Sequence, residues 1–156
     1  MKSDFELNPL DRRILEQLQA DASISHAELA ERVGSTAPSC WRRIKAMEQA
    51  GVLTRTVRLA DPEKLGYPVT ILCSVRLRNY DRDTVQAFEG FVQEQRRVMA
   101  CFTISGDWDY LLQVIAADVS DYESFLMRTL LTHSSVGGAS SHFALSVVKH
   151  TTSVPC

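Results

Sequence analysis

Long apolar runs are missing. Nothing in these 156 residues approaches the roughly 18 consecutive apolar residues that a membrane span needs. The start, Met1-Lys2-Ser3-Asp4-Phe5-Glu6, is acidic and lacks the apolar stretch of an export signal, so a cytoplasmic location with reduced thiols is expected. Cysteine is sparse: Cys40, Cys73, Cys101 and Cys156 stand far apart without a CxxC pair. That spacing excludes an ordinary zinc finger and argues against a disulfide scaffold. His26, His133, His142 and His150 share no ligand spacing with each other or with the cysteines, so neither a metal nor another resident cofactor is expected. Cys40, Cys73 and Cys101 lie in apolar patterns and read as core residues rather than nucleophiles. There is no P-loop and no GxGxxG. An excess of charge is missing too: 17 Lys and Arg face 19 Asp and Glu, a net charge of -2. Taken alone, that average argues against nucleic acid.

What is present is charge in a particular place. Residues 1–60 hold nine basic and eight acidic residues, whereas residues 61–156 hold eight and eleven. Between Gly34 and Arg58, five basic residues (Arg42, Arg43, Lys45, Arg55, Arg58) meet a single acid, Glu48. A local basic stretch on a near-neutral chain fits a reader of nucleic acid, and equally a solvated helix face.

The surrounding pattern favours the reader. Leu10, Ile14 and Leu18, widened by Leu15, make one apolar helix stripe; Asn8 caps it, Pro9 opens it and Asp11 sits in its first turn. Ser25-His26-Ala27-Glu28 is a capping box that opens a second helix with Leu29, Ala30 and Val33 inward; Gly34 ends it. A third helix starts after Ser35-Thr36 and turns Cys40, Ile44 and Met47 inward, with Trp41 flanking. Helix, Gly-containing turn and helix make a helix-turn-helix. Ser39, Arg42, Arg43 and Lys45 are donors suited to phosphates and guanine edges. Val52–Leu59 reads as a short strand or wing carrying Arg55 and Arg58. The alternative is a plain three-helix bundle with surface arginines.

Asp61 to Pro68 is turn-rich and predicts a linker over 61–68, separating a DNA-binding domain over 1–60 from a second domain over 69–156. In the second domain the spacing predicts strands at Val69–Leu77, Val98–Ile104, Tyr110–Ala116 and within Val136–Lys149, where Phe143, Leu145 and Val147 alternate. Helices are expected at Asp81–Glu94 and Ser120–Leu131, the latter capped by Ser120 and Glu123. Strand, helix, strand, strand, helix, strand is the split βαβ, ferredoxin-like order. The expected fold class is therefore α+β, a winged helix-turn-helix followed by a ferredoxin-like βαββαβ domain. Helices on one sheet face leave the other open. A dimer interface built from Val75, Leu77, Phe102, Ile104, Leu112 and Val114 is expected there, depending on register.

These segments together resemble the leucine-responsive/asparagine-regulator (Lrp/AsnC) family of bacterial and archaeal transcription factors, over about Pro9 to Lys149. The resemblance is carried by Leu10–Leu15, Ser25–Gly34, Ser39–Ile44, Glu48–Leu53 and Ser105-Gly106-Asp107-Trp108-Asp109-Tyr110-Leu111-Leu112. It implies binding to double-stranded DNA and no enzymatic activity. It also implies dimers joined through the second domain that stack into tetramers or octamers, and an amino-acid effector held between dimers. Carried over by position, effector contacts fall on Gly106, Asp107, Trp108, Asp109, Tyr110 and Leu111. Ser141 follows from the turn before the last strand, where Gly137-Gly138-Ala139-Ser140-Ser141 replaces the family's Asp-Thr-x-Thr. Losing an acid and a hydroxyl there points to an apolar or aromatic amino acid, or to none.

The residues allow a physical reading beside this. A turn at Gly106 offers backbone N–H groups to a carboxylate, Asp107 or Asp109 suits an ammonium, and Trp108 suits a side chain or a cation. The same turn also reads as an ordinary solvated hairpin. Two further alternatives are weighed. A sirohaem-decarboxylase-like enzyme of the same fold would carry a His/Arg-rich stretch where Cys101–Asp107 has no basic residue. A sensing oligomer without DNA binding conflicts with Arg42, Arg43, Lys45, Arg55 and Arg58.

Overall fold

In the computed structural model, which describes residues 5–156, the described chain divides into two units: the residues up to 58 together with 149–156, and residues 59–148. The acidic start at Met1 to Asp4 lies outside the described residues.

The first unit holds α1 (Pro9–Ala20), α2 (His26–Val33) and α3 (Ala37–Gln49). Each begins at a side-chain cap that meets an otherwise orphan N–H: Asn8 accepts from Asp11, Ser25 from Glu28 and Thr36 from Ser39. Between α2 and α3 the chain turns at Gly34, whose φ of 66° is left-handed, and the N–H of Ser35 reaches back to the Ala30 carbonyl at 2.9 Å. Ile14, Leu15, Leu29, Ala30, Val33, Cys40, Ile44 and Met47 form the core. Val52 and Leu53 pack against it, both N–H groups donating to the Met47 carbonyl. Residues 54–60 form no strand: the ladder expected there needs a neighbouring strand for its N–H and C=O groups, and none pairs with it among the described residues. Val57 and Leu59 are left exposed. The tail, expected with the second domain, lies against α1 instead. The Gln19 amide donates to the Val154 carbonyl (2.9 Å) and accepts its N–H (2.7 Å), and Cys156 packs at the core's edge.

The second unit runs β1 (Val69–Leu77), α4 (Arg82–Glu94), β2 (Val98–Thr103), β3 (Tyr110–Ala116), α5 (Val119–Phe125) with a π-helical turn at Leu126–Leu130, and β4 (Val136–Phe143). The sheet order is β2-β3-β1-β4, antiparallel throughout, as the ferredoxin-like order requires. Two local expectations are corrected. The cap of α5 is Asp118, accepting from the Asp121 N–H at 2.8 Å, not Ser120; Asp121 in turn accepts from the Ala117 N–H. The last strand ends at Phe143, leaving Leu145, Val147 and Val148 exposed.

The sheet face is also corrected. Val75, Leu77, Leu112 and Val114, expected at the open face, are buried with Phe88, Phe125 and Leu130 in the core. Strand periodicity separates two faces but does not say which one receives the helices. The opposite face carries Leu72, Ser74 and Arg76 on β1, Leu111, Gln113 and Ile115 on β3, and Phe102 on β2 paired with Leu111.

A Gly34→Ala chain is expected to be less stable by about 1 kcal/mol, read as a lower urea midpoint. A Cβ at Gly34 meets nothing within 4 Å, so the cost is conformational alone. An unchanged midpoint shows that the turn relaxes out of the left-handed region.

Candidate nucleic-acid interface and effector turn

The geometry of α3 begins with a charge pair. Asp11 is fully buried at the first turn of α1. Its carboxylate accepts the Asn8 N–H (3.0 Å), Arg43 Nε–H (2.6 Å) and Arg43 Nη2–H, and its own N–H donates to the Asn8 side chain (2.9 Å). The guanidinium also lies 5.3 Å from the Phe5 ring centre. Burial alone would raise the Asp11 carboxyl, but the bonds from Arg43 and Asn8 and the Arg43 charge outweigh it and hold it below the ordinary carboxylate range. Arg43 thereby ties α3 to α1.

With Arg43 turned toward α1, the outward stripe of α3 is Pro38, Trp41, Arg42 and Lys45, all exposed at spacings of three and four. Arg42 extends from the middle of that stripe. Lys45 pairs with Glu48 at 2.6 Å, both exposed, an ion pair of little strength. Ser39 is half-buried in the first turn, its N–H on Thr36 Oγ1 at 3.4 Å. Arg55 and Arg58 are exposed on the extended segment after α3. Of the six residues expected at a nucleic-acid surface, Arg42 and Lys45 thus share one helix face, Ser39 sits at that helix's start, and Arg43 is engaged behind it.

The inward position of Arg43 left a signal in the sequence. It stands with Cys40, Ile44 and Met47 at i, i+3, i+4 and i+7, and Asp11 stands likewise with Ile14, Leu15 and Leu18. A lone acid and a lone base, each within an apolar stripe, are the pattern of a buried pair. Trp41 is the second residue passed over: it is 52% exposed, not a flank of the core.

In the second unit, Gly106 turns the β2–β3 hairpin with φ 109°. Arg76, which had not been singled out, holds this turn. Its Nε and Nη2 donate to the Asp107 carbonyl (3.2 and 2.7 Å), and its guanidinium lies 4.8 Å from the Trp108 ring centre. The signal was a single cation in an otherwise uncharged strand, Val69–Leu77. Asp109 accepts the Leu77 N–H at 2.7 Å and donates its own N–H to Val75 at 3.0 Å, so its carboxylate is a brace. Asp107 is exposed.

The remaining carried-over residues separate. Leu111 is on the open face. Tyr110 is buried on the helix side and donates to Glu89 at 2.9 Å; burial, then the Glu89 carboxylate, pushes its phenol up to about 12. Ser141 also points to the helix side, pairing with Cys73 in the ladder and lying 2.5 Å from the Tyr122 hydroxyl. The structure therefore groups Gly106, Asp107, Trp108, Asp109 and Arg76, and leaves Tyr110 and Ser141 behind the sheet. Beside this group, Gly137 lies against the backbone of Leu77, where a Cβ would come within 2.9 Å of its carbonyl oxygen.

Comparison with known proteins gives two family matches. Residues 70–154 match the Lrp/AsnC ligand binding domain and residues 7–54 match a winged helix-turn-helix DNA-binding domain. The transcriptional regulator AzlB of Bacillus subtilis (strain 168) is 32% identical over 149 residues, covering 96% of this chain and 95% of its own length. Among solved structures, a Neisseria meningitidis transcriptional regulator in complex with L-Met superposes with a TM-score of 0.93 at 35% identity, covering 96% of this chain and 97% of that one. An AsnC family transcriptional regulator from Agrobacterium tumefaciens gives a TM-score of 0.91 at 38% identity with the same coverages.

The Asp11–Arg43 pair makes a pH prediction. Because the folded-state value of Asp11 is lowered, its stabilisation is fully present above about pH 4 and is lost as the pH falls through the lowered value. Asp11→Asn is expected to be less stable by about 2 kcal/mol at neutral pH and to lose less further stability in acid than the wild type. Parallel stability curves for the two chains down to about pH 3 would exclude this role for the pair.

Proposed function

The chain belongs to the Lrp/AsnC family of transcriptional regulators, and we propose that it reads DNA through the outward stripe of α3 and senses an amino acid at the Gly106 turn. The observation that carries the first half is the exposed Pro38, Trp41, Arg42 and Lys45 face on the second helix of a matched helix-turn-helix. Arg42 and Ser39 meet base edges or phosphates, while Lys45, Arg55 and Arg58 position the backbone. Arg43 acts mainly by fixing α3 on α1, since its Nε and Nη2 are committed to Asp11. A dimer places two such helices in successive major grooves, and dimers assemble further. The reading includes no catalytic step and no resident cofactor.

Three features support the effector half. The Neisseria meningitidis relative was solved with L-Met. The backbone N–H groups of the Gly106 turn suit a carboxylate. Asp107 is the free acid for an ammonium, because Asp109 is occupied by Leu77. Without an acid or hydroxyl at Gly138 and Ala139, the segment before Ser141 suits an apolar side chain better than a polar one. Tyr110 and Ser141 lie behind the sheet and are left out of the pocket, which a second copy covers from the open side. The effector then shifts assembly by its differential affinity for the two states.

For DNA, Arg42→Ala is expected to weaken binding to a duplex selected from a random pool by about 1–3 kcal/mol, and Lys45→Ala to lower the salt slope by about 1. Arg43→Ala should lose thermal stability as well as affinity. Unchanged affinity and salt slope in Arg42→Ala and Lys45→Ala would remove α3 from the interface. For the effector, the twenty amino acids are titrated against Trp108 emission in a Trp41→Phe background, with sizing alongside. An apolar amino acid should shift emission and assembly, whereas no response to any of the twenty rules out an amino-acid effector.

A further inference from the structure

We propose that Trp41 is a specificity-determining residue of the DNA interface, its indole meeting the C5-methyl group of thymine in the major groove; this rests on α3 being the DNA-contacting helix. Four observations carry it.

Trp41 is 52% exposed, although its neighbour Cys40 is fully buried. It does not belong to the core that Cys40, Ile44 and Met47 build, nor to the partly buried residues packed on that core. It lies in the N-terminal half of α3, the part of a recognition helix that contacts base edges. Its neighbours on the outward stripe are Pro38 one turn before, Arg42 beside it and Lys45 one turn after. A large apolar ring framed by two cations fits a surface whose rim is anionic and whose floor has an apolar spot.

DNA offers such a surface. The major groove is bounded by phosphates, and the one apolar group on its floor is the methyl of thymine. Chemistry narrows the contact further. Indole carries one N–H donor and no acceptor, so it cannot make the two-point hydrogen bonds by which Arg or Asn identify guanine or adenine. What it supplies is apolar area, and thymine is the base that rewards it. The pinned Arg43 makes the placement reproducible: by holding the opposite side of α3 on α1, it fixes the rotation that turns Trp41 outward.

The test uses the full chain. Wild type, Trp41→Ala and Trp41→Phe are each put through selection from a random duplex pool. The enriched duplexes are then remade with deoxyuridine replacing thymine one position at a time, which removes only the methyl. Wild type is expected to enrich a thymine at one position per half-site and to bind about fourfold more weakly when that position is deoxyuridine. Trp41→Phe should keep the discrimination, and Trp41→Ala should bind the two duplexes equally while melting at the wild-type temperature. Equal thymine-over-uracil discrimination in wild type and Trp41→Ala overturns the assignment. So does a Trp41→Ala chain that keeps its base preference but changes its assembly, which would place the indole between copies of the protein. If wild type enriches no sequence at all, the DNA-binding reading of α3 itself fails, and this outcome is distinguishable from the other two.

Discussion

A carboxylate removed from water sets the geometry of the reader. Asp11 has no exposed surface, and a buried charge is tolerated only when its partners replace the lost hydration. Three donors do so: two from Arg43 and one from Asn8. The fork-to-fork geometry matters more than the attraction, because a planar guanidinium gripping a planar carboxylate fixes orientation as well as distance. One interaction therefore completes the cap of α1, docks α3 against it and decides which residues of α3 meet solvent. The Arg42 and Trp41 face exists because Arg43 is turned the other way.

Local chemistry made much of this fold legible. The caps at Asn8 and Ser25, the glycine at 34 and the alternating strands all act over a few residues, and their elements stand where the spacing puts them. Tertiary choices were less legible. Whether Val75 or Leu72 faces the helices depends on where α4 and α5 pack, which a period of two does not encode. The cap at Asp118 competes with an equally good signal at Ser120 and wins because Asp121 then reaches the Ala117 N–H. By residue type Arg43 reads as a surface cation, whereas its spacing with Cys40 and Met47 points inward, where Asp11 holds it. The Gly106 turn is legible in the Ser105–Leu112 motif, but the residue that holds it, Arg76, lies about thirty residues away in sequence and meets it only through the pairing of β1 with β3.

In the second unit, each acid of the turn has a different function because the backbone assigns it one. Asp109 is consumed by the end of β1, and that bond gives the hairpin its fixed position. Asp107 contributes its carbonyl to Arg76 and leaves its carboxylate in solvent. Arg76 in turn covers one face of Trp108. The turn is thus rigid at its base and chemically open at its tip. Tyr110 and Ser141 face the other way because strand alternation sends them to the helix side.

The tail that returns to α1 makes the first unit discontinuous, with the whole second unit an insertion within it. The Gln19–Val154 contact closes a loop of 135 residues. Closure entropy rises only slowly with loop length, but a contact of such separation must meet that cost before it adds stability. The helical core at Ile14, Leu29 and Ile44 consists of near-neighbour contacts and can assemble without the tail. The tail is held by two exposed hydrogen bonds between Gln19 and Val154 and by Cys156, which packs at the edge of the core and contacts Gln19 and the Arg12 carbonyl. The Val154 amide, bonded to Gln19 at the surface, should therefore exchange before the buried amides of the helices it touches.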